Sequence, residues 1–206
     1  MNVLLINGSP HQNGCTYTAL SEVAKTLTEC GVEAEIVQIG ANPIRGCIGC
    51  GKCKERHLCV FDDDVANEII RKAEKTDGIV IGSPVYYASA NGNLVSLLDR
   101  IFTAGNAFAY KPAAAVASAR RAGTTATFDV INKYFTIRQM PIVSSSYWNV
   151  VHGSTPDEVR QDLEGLQIMR NLGRNMAWLL NSIEAGKQNG VSLPQNEFSN
   201  KTSFIR

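Results

Sequence analysis

The strongest constraint on this chain is an alternation: short, unbroken runs of Val, Ile, Leu and Ala, followed by longer stretches with helical spacing. Residues 2–6, 34–39, 78–82, 113–118 and 142–146 read as five strands. Helix-compatible sequence follows the first four, at 16–30, 64–75, 91–103 and 124–138. A last long helix is expected over 156–184, with Leu163, Leu166, Met169, Leu172, Met176, Leu179 and Leu180 on one stripe. Thr155 before Pro156 suits its start. A strand that is apolar along its whole length must be covered on both faces. The alternation therefore implies an α/β chain, with a parallel sheet between two helical layers. Five such strands fit the order 2-1-3-4-5.

Charge narrows the partners. Twenty basic residues against 19 acidic leave a net charge of +1, too little for a broad nucleic-acid-binding field. The apolar runs are far too short for a membrane span, and Asn7-Gly8-Ser9-Pro10 interrupts the first of them, so a cytoplasmic location is expected. The domain is expected to occupy residues 1–185, with 186–206 as a polar tail. In a reducing compartment six cysteines do not point to a disulfide framework, and four of them fall between residues 47 and 59.

The first strand runs into Asn7-Gly8-Ser9-Pro10-His11-Gln12-Asn13-Gly14-Cys15-Thr16. A small, hydroxyl-rich turn at a helix N-terminus offers free backbone N–H groups and the positive end of the helix dipole, which favours a phosphate. Ser9 and Thr16 add hydroxyls, Gly14 leaves room for close approach, and His11, Asn13 and Cys15 lie on the same turn. Cys15 stands where a triphosphate-binding loop carries lysine, and the dinucleotide pattern Gly-x-Gly-x-x-Gly is absent, so a monophosphate is the natural ligand. A simple helix-capping turn is the alternative.

A second motif follows the third strand: Gly82-Ser83-Pro84-Val85-Tyr86-Tyr87-Ala88-Ser89, leading into Leu94-x-x-Leu97-Leu98-Asp99-Arg100. With the first loop, it resembles the flavodoxin-fold NAD(P)H-dependent FMN reductases, including iron–sulfur flavoproteins. The resemblance covers roughly residues 1–180 and implies a flavodoxin-like three-layer sandwich with a five-stranded parallel sheet. It implies that the first loop holds the FMN phosphate, and that Ser83, Pro84, Val85, Tyr86, Tyr87 and Asn91 cradle the flavin ring. After the fourth strand, Ser118, Arg120, Arg121 and Gly123 would face its pyrimidine edge. The paired arginines depart from the glycine-rich sequence usual there, and suit reduced flavin or a donor's phosphates. The implied reaction carries electrons from NAD(P)H through FMN to a small acceptor, such as a quinone, a nitro or azo compound or free flavin, in a homodimer.

Cys47, Cys50, Cys53 and Cys59 form a C-x₂-C-x₂-C-x₅-C run, with Gly46, Gly49 and Gly51 easing a tight wrap. It resembles the cluster motif of iron–sulfur flavoproteins, which implies a possible [4Fe-4S] cluster and a ferredoxin partner. Cluster-free relatives keep similar loops, in which the thiols are packing residues or simply free. Following the second strand, the loop is expected at the flavin end of the sheet. Cys15 and Cys30 are expected to be buried thiols.

Overall fold

The computed structural model describes residues 1–202. β1 (Asn2–Asn7) leads to α1 (Cys15–Glu29) and β2 (Glu33–Gln38). After the cysteine loop and the one-turn α2 (Cys53–Arg56) come α3 (Ala66–Lys75), β3 (Gly78–Tyr86), the two-residue β4 (Ser89–Ala90) and α4 (Gly92–Ala104). β5 (Ala113–Ala119), α5 (Thr124–Ile137), β6 (Val150–His152), α6 (Pro156–Gln161) and α7 (Leu163–Gln188) complete it. The sheet order is β2-β1-β3-β5-β6, all parallel, with β4 bonded antiparallel to β3. With that two-residue spur set aside, this is the expected 2-1-3-4-5 order and a flavodoxin-like fold.

Side chains alternate across each strand, so each strand feeds two cores. Leu4, Ile6, Ile79 and Ile81 pack with Ile69 and Ile70 of α3, Leu97 and Ile101 of α4, and Phe128 and Phe135 of α5. Val3, Leu5, Val80 and Val116 pack on the opposite face with Leu20 and Val23 of α1 and Leu172 and Met176 of α7. All seven residues of β5 are buried, as a strand covered on both faces requires. Among the described residues, no helix is long and apolar enough to cross a membrane.

Three expectations are corrected. Residues 142–146 are not the fifth strand: Ile142 makes one isolated bridge to Ala113, and the strand forms later, at Val150–His152. The intervening serines favour local bonds, with Ser145 Oγ donating to the Tyr147 carbonyl at 2.7 Å. Where the edge bulges away, the Asn149 carboxamide replaces the missing strand, donating to the Ala115 carbonyl at 3.0 Å, and Ala117 N–H bonds the Asn149 carbonyl. The last helix is two helices, broken at Asp162 (ψ 79°), whose carboxylate accepts from Gly165 N–H at 2.9 Å and His152 N–H at 2.7 Å. α6 starts at the expected Thr155 cap, and Glu158 reaches back to Ser154 N–H. Cys30 is exposed at the end of α1, not buried, and Cys15 is half-buried.

α7 runs to Gln188, past residue 184, and the rest of the described tail has no helix or strand. Asn196 bonds the Tyr110 hydroxyl, holding part of the tail against the body. Residues 203–206 lie outside the described residues.

Candidate functional site

Three loops at the carboxyl ends of β1, β3 and β5 are bonded to one another. Gly8 N–H donates to the Gly82 carbonyl at 2.8 Å. Asn91, the N-cap of α4, donates from Nδ2 to the Gly8 carbonyl at 2.7 Å, and its own N–H bonds Ser83 Oγ at 3.0 Å. Thr16 and Ser118 share a hydroxyl bond of 2.8 Å, both buried. Gly8 has to be glycine, because a Cβ there would lie 2.6 Å from the Gly82 carbonyl oxygen. Gly123 is required twice over: its φ is +89°, and a Cβ would meet Val85 at 2.6 Å.

The first loop is braced from beneath. Asn7 bonds Gln38 across the β1–β2 pair, and Gln38 Nε2 donates to the Ser9 carbonyl at 2.6 Å. Asn7 Oδ1 accepts from Ser9 N–H at 3.2 Å, and Ser9 Oγ accepts from His11 N–H at 3.1 Å. Sequence reading missed Asn7 and Gln38 as site residues. They end paired strands, and only the register (Asn7 opposite Gln38) brings their side chains together.

The N-terminus of α1 is left open. Gly14 is its N-cap, no side chain caps it, and its first turn holds no acidic residue. The amides of Gln12, Asn13, Thr16 and Tyr17 bond no acceptor among the described residues. An uncapped turn of free amides without a carboxylate fits a phosphate. His11 and Asn13 are exposed at its rim. Cys15 is no thiolate: burial pushes its thiol up, and its Sγ faces the Gly153 carbonyl at 3.7 Å.

Several of the residues expected to cradle the ring form a cleft beside this turn. Val85, Tyr87, Ala88, Ala119, Arg120, Arg121 and Gly123 line a concavity of about 520 Å³. Tyr86 and Tyr87 project into solvent on a hairpin whose tip holds Tyr87 at φ 61°. Ser83 and Pro84 are buried beneath them. Arg120 and Arg121 are exposed and form no ion pair among the described residues, leaving two free cations on the cleft. A flat ring between the hairpin and the arginines, with its phosphate on α1, fits FMN.

The four cysteines meet elsewhere. Cys47, Cys50, Cys53 and Cys59 all line one cavity of about 270 Å³, walled by Ile48, Val60, Phe61, Thr103, Ala104 and Arg100. All are free thiols. Among the described residues no three metal-binding side chains close on a single ion. Four soft sulfur donors spread around an apolar cavity suit a multi-atom cluster better than one ion. Gly49 (φ 65°) and Gly51 (φ 72°) supply the left-handed turns the wrap needs. The cavity is not beside the flavin loops as expected, because the loop descends along α4. Asn91 starts that helix where the β1 and β3 loops meet, and Arg100, nine residues on, sits about 13.5 Å down its axis at 1.5 Å per residue.

Two further residues frame this cavity, neither given a role from sequence. Asn67 accepts from Cys59 N–H at 2.8 Å and donates to the carbonyls of Cys59 and Phe61 and to Asp62. Arg100 is buried, ion-paired to Asp64, and donates from Nε to Cys59 Sγ at 3.2 Å. Burial opposes its charge, but the bonds to Asp64 and Cys59 outweigh it and hold the guanidinium above its ordinary pKa. The signal for Arg100 was a charged residue in an otherwise apolar helix stripe of Leu94, Leu97, Leu98 and Ile101.

Comparison with known proteins agrees with this geometry. Residues 1–155 match the family described as NADPH-dependent FMN reductase. An iron–sulfur flavoprotein of Methanocaldococcus jannaschii is 33% identical over 193 residues, covering 89% of this chain and all of that one. An iron–sulfur flavoprotein of Methanosarcina thermophila is 27% identical, covering 91% and 99%. Among solved structures, RosB with a bound 8-demethyl-8-formylriboflavin-5′-phosphate superposes with a TM-score of 0.71 at 12% identity, covering 100% and 92%. An archaeal flavodoxin gives 0.59 at 14% identity, covering 88% and 99%. These last two likenesses concern the fold.

Proposed function

Because this chain belongs to the NADPH-dependent FMN reductase family, we propose that it is an FMN-dependent electron-transfer oxidoreductase of the iron–sulfur flavoprotein kind. One observation carries the reading: all four cysteines of a single loop line a single cavity, on the helix whose N-cap holds the flavin loops. Bound FMN would supply exchange between two-electron and one-electron chemistry, which the protein positions and tunes. The α1 amides hold the phosphate, Pro84 to Tyr87 and Gly123 shape the ring cleft, and Cys47, Cys50, Cys53 and Cys59 hold the cluster. The flavin would carry the redox chemistry, and burial holds the Cys15 thiol above its ordinary pKa.

A second reading rests on Arg120 and Arg121. Two free cations on the cleft suit the phosphates of a nicotinamide donor, as in a cluster-free NAD(P)H-dependent reductase of quinones, nitro or azo compounds or flavins. Anaerobic purification separates the two readings. One FMN and about four irons per chain are expected, with the iron lost in Cys50→Ser while the flavin stays. An iron-free parent with full flavin that oxidises NADPH would establish the second reading instead. A ferredoxin is the expected partner in the first reading, and a small acceptor in the second.

The working unit is expected to be a homodimer, with exposed Tyr86 and Tyr87 on the cleft hairpin and exposed Tyr147 and Trp148 beside α5 as candidate contact residues. Light scattering at micromolar concentration should return twice the 22.4 kDa chain mass. A monomer mass across that range would contradict it.

A further inference from the structure

We propose that Arg100 and Asp64 together set the reduction potential of the cluster site, Arg100 raising it through its Nε–H bond to the Cys59 sulfur and Asp64 lowering it. The proposal rests on the cluster reading above. Reducing a thiolate-bound cluster adds one negative charge, so a cation and an N–H donor at a ligand sulfur stabilise the reduced form. A carboxylate behind that cation weakens the effect.

The guanidinium is fixed in place. Nε donates to Cys59 Sγ, Nη1 to Asp64 and to the Arg45 carbonyl at 3.3 Å, and Nη2 to the Phe61 carbonyl at 3.1 Å. Its side chain is fully buried and that of Asp64 nearly so, so solvent screens neither charge strongly. Packing alone does not explain a cation here. Leu97 and Ile101 fill the neighbouring positions of α4, and a buried ion pair is often no more stabilising than apolar residues of similar volume. Arginine adds what an apolar side chain lacks: a directed donor and a positive charge at one of the four sulfurs.

The other charges nearby are outside the buried pair. Arg45 is exposed, stacks 4.4 Å over the Phe61 ring and pairs with exposed Asp63. Lys54, also exposed, borders the cavity. Water and salt screen these more than they screen Arg100 and Asp64.

The test is a redox titration of the anaerobically reconstituted full chain, followed by the spectrum of the reduced cluster. In Arg100→Gln the midpoint is expected to fall, the reduced-to-oxidised ratio at the parent's midpoint dropping about tenfold, or ~59 mV for one electron. In Asp64→Asn it is expected to rise. Arg100→Lys, which keeps the charge but not the planar Nε donor, should lie between Gln and the parent. Opposite shifts at matched iron content support the proposal, because general disturbance of the loop would not move the midpoint in opposite directions. If Arg100→Gln fails to fold or to load iron, the Lys and Asn variants, which keep a cation in place, decide by the same opposite shifts. Unmoved midpoints, or shifts in one direction, at full iron content overturn the proposal alone. A parent that binds no iron overturns the cluster reading and this proposal with it.

Discussion

A Gly14→Asp variant is expected to bind FMN about 100-fold more weakly while remaining folded. Gly14 sits at φ −83° and ψ −169°, an extended conformation that any residue adopts, so its backbone does not require glycine. An aspartate there would cap α1, accepting from the amides of Thr16 or Tyr17, which are the groups offered to the phosphate. It would also place a carboxylate against a phosphate. At a few ångströms and an intermediate dielectric that repulsion exceeds the ~2.7 kcal/mol that 100-fold represents. The new Cβ would come 2.9 Å from His11 Cβ, so the turn, which is bonded through His11 N–H to Ser9 and through the His11 carbonyl to Gly14 N–H, has to shift, and part of the capping gain is lost there. Riboflavin lacks the phosphate and should lose far less. Fluorescence titration with both ligands and a thermal melt check this. Equal losses for the two flavins, or undiminished FMN binding, would remove the phosphate from this loop.

The second large effect is expected at Asn67→Ala: a loss of about 3 kcal/mol in folding stability, with loosening confined to residues 59–62. Asn67 is 3% exposed and is the only described side chain bonded to both the N–H and the carbonyl of Cys59, as well as to the Phe61 carbonyl. Alanine orphans the Cys59 N–H and carbonyl, at about 1.5 kcal/mol each, while the Phe61 carbonyl keeps Arg100. The same segment carries the Arg100 contacts to Cys59 and Phe61, so iron retention should fall in parallel. Urea denaturation with hydrogen exchange at residues 59–62 measures both. Asn67→Asp keeps the acceptor for Cys59 N–H but turns its second oxygen toward the Cys59 and Phe61 carbonyls and the Asp62 carboxylate, and should lose at least as much as alanine. A stability loss below about 1 kcal/mol with unchanged exchange would show that the loop stands without this latch.

Much of the architecture was legible because strands apolar on both faces admit few arrangements. β1, β2, β3 and β5 lie close to their expected positions, and so does the turn between β1 and α1, whose spacing belongs to one continuous strand–turn–helix segment. The fifth strand was misplaced for a local reason. Ile142 and Val143 carry the hydrophobic signal, but the three serines after them turn the chain on side-chain bonds, which hydrophobic periodicity does not register. The break at Asp162 was missed for a similar reason: apolar spacing persists across it, and only the carboxylate's two bonds end one helix and start the next. Asn67, Gln38 and Arg100 share a different obscurity. Each acts on residues distant in sequence, and nothing in the neighbouring residues marks the partner.

The bulged edge beside β5 has a further consequence, for behaviour at high concentration. A long exposed edge strand invites a strand from another molecule to add to the sheet, the first step toward ordered aggregation. Here the terminal strand is three residues long, and the backbone of β5 next to the bulge is covered by the Asn149 carboxamide, whose Nδ2 occupies the Ala115 carbonyl. A side chain cannot be continued as a strand can. An incoming segment would find the template interrupted after a few residues. The irregularity that obscured the fifth strand thus leaves this side of the sheet without a straight margin on which copies of the chain could polymerise, so the six-residue β2 is the one regular edge among the described strands.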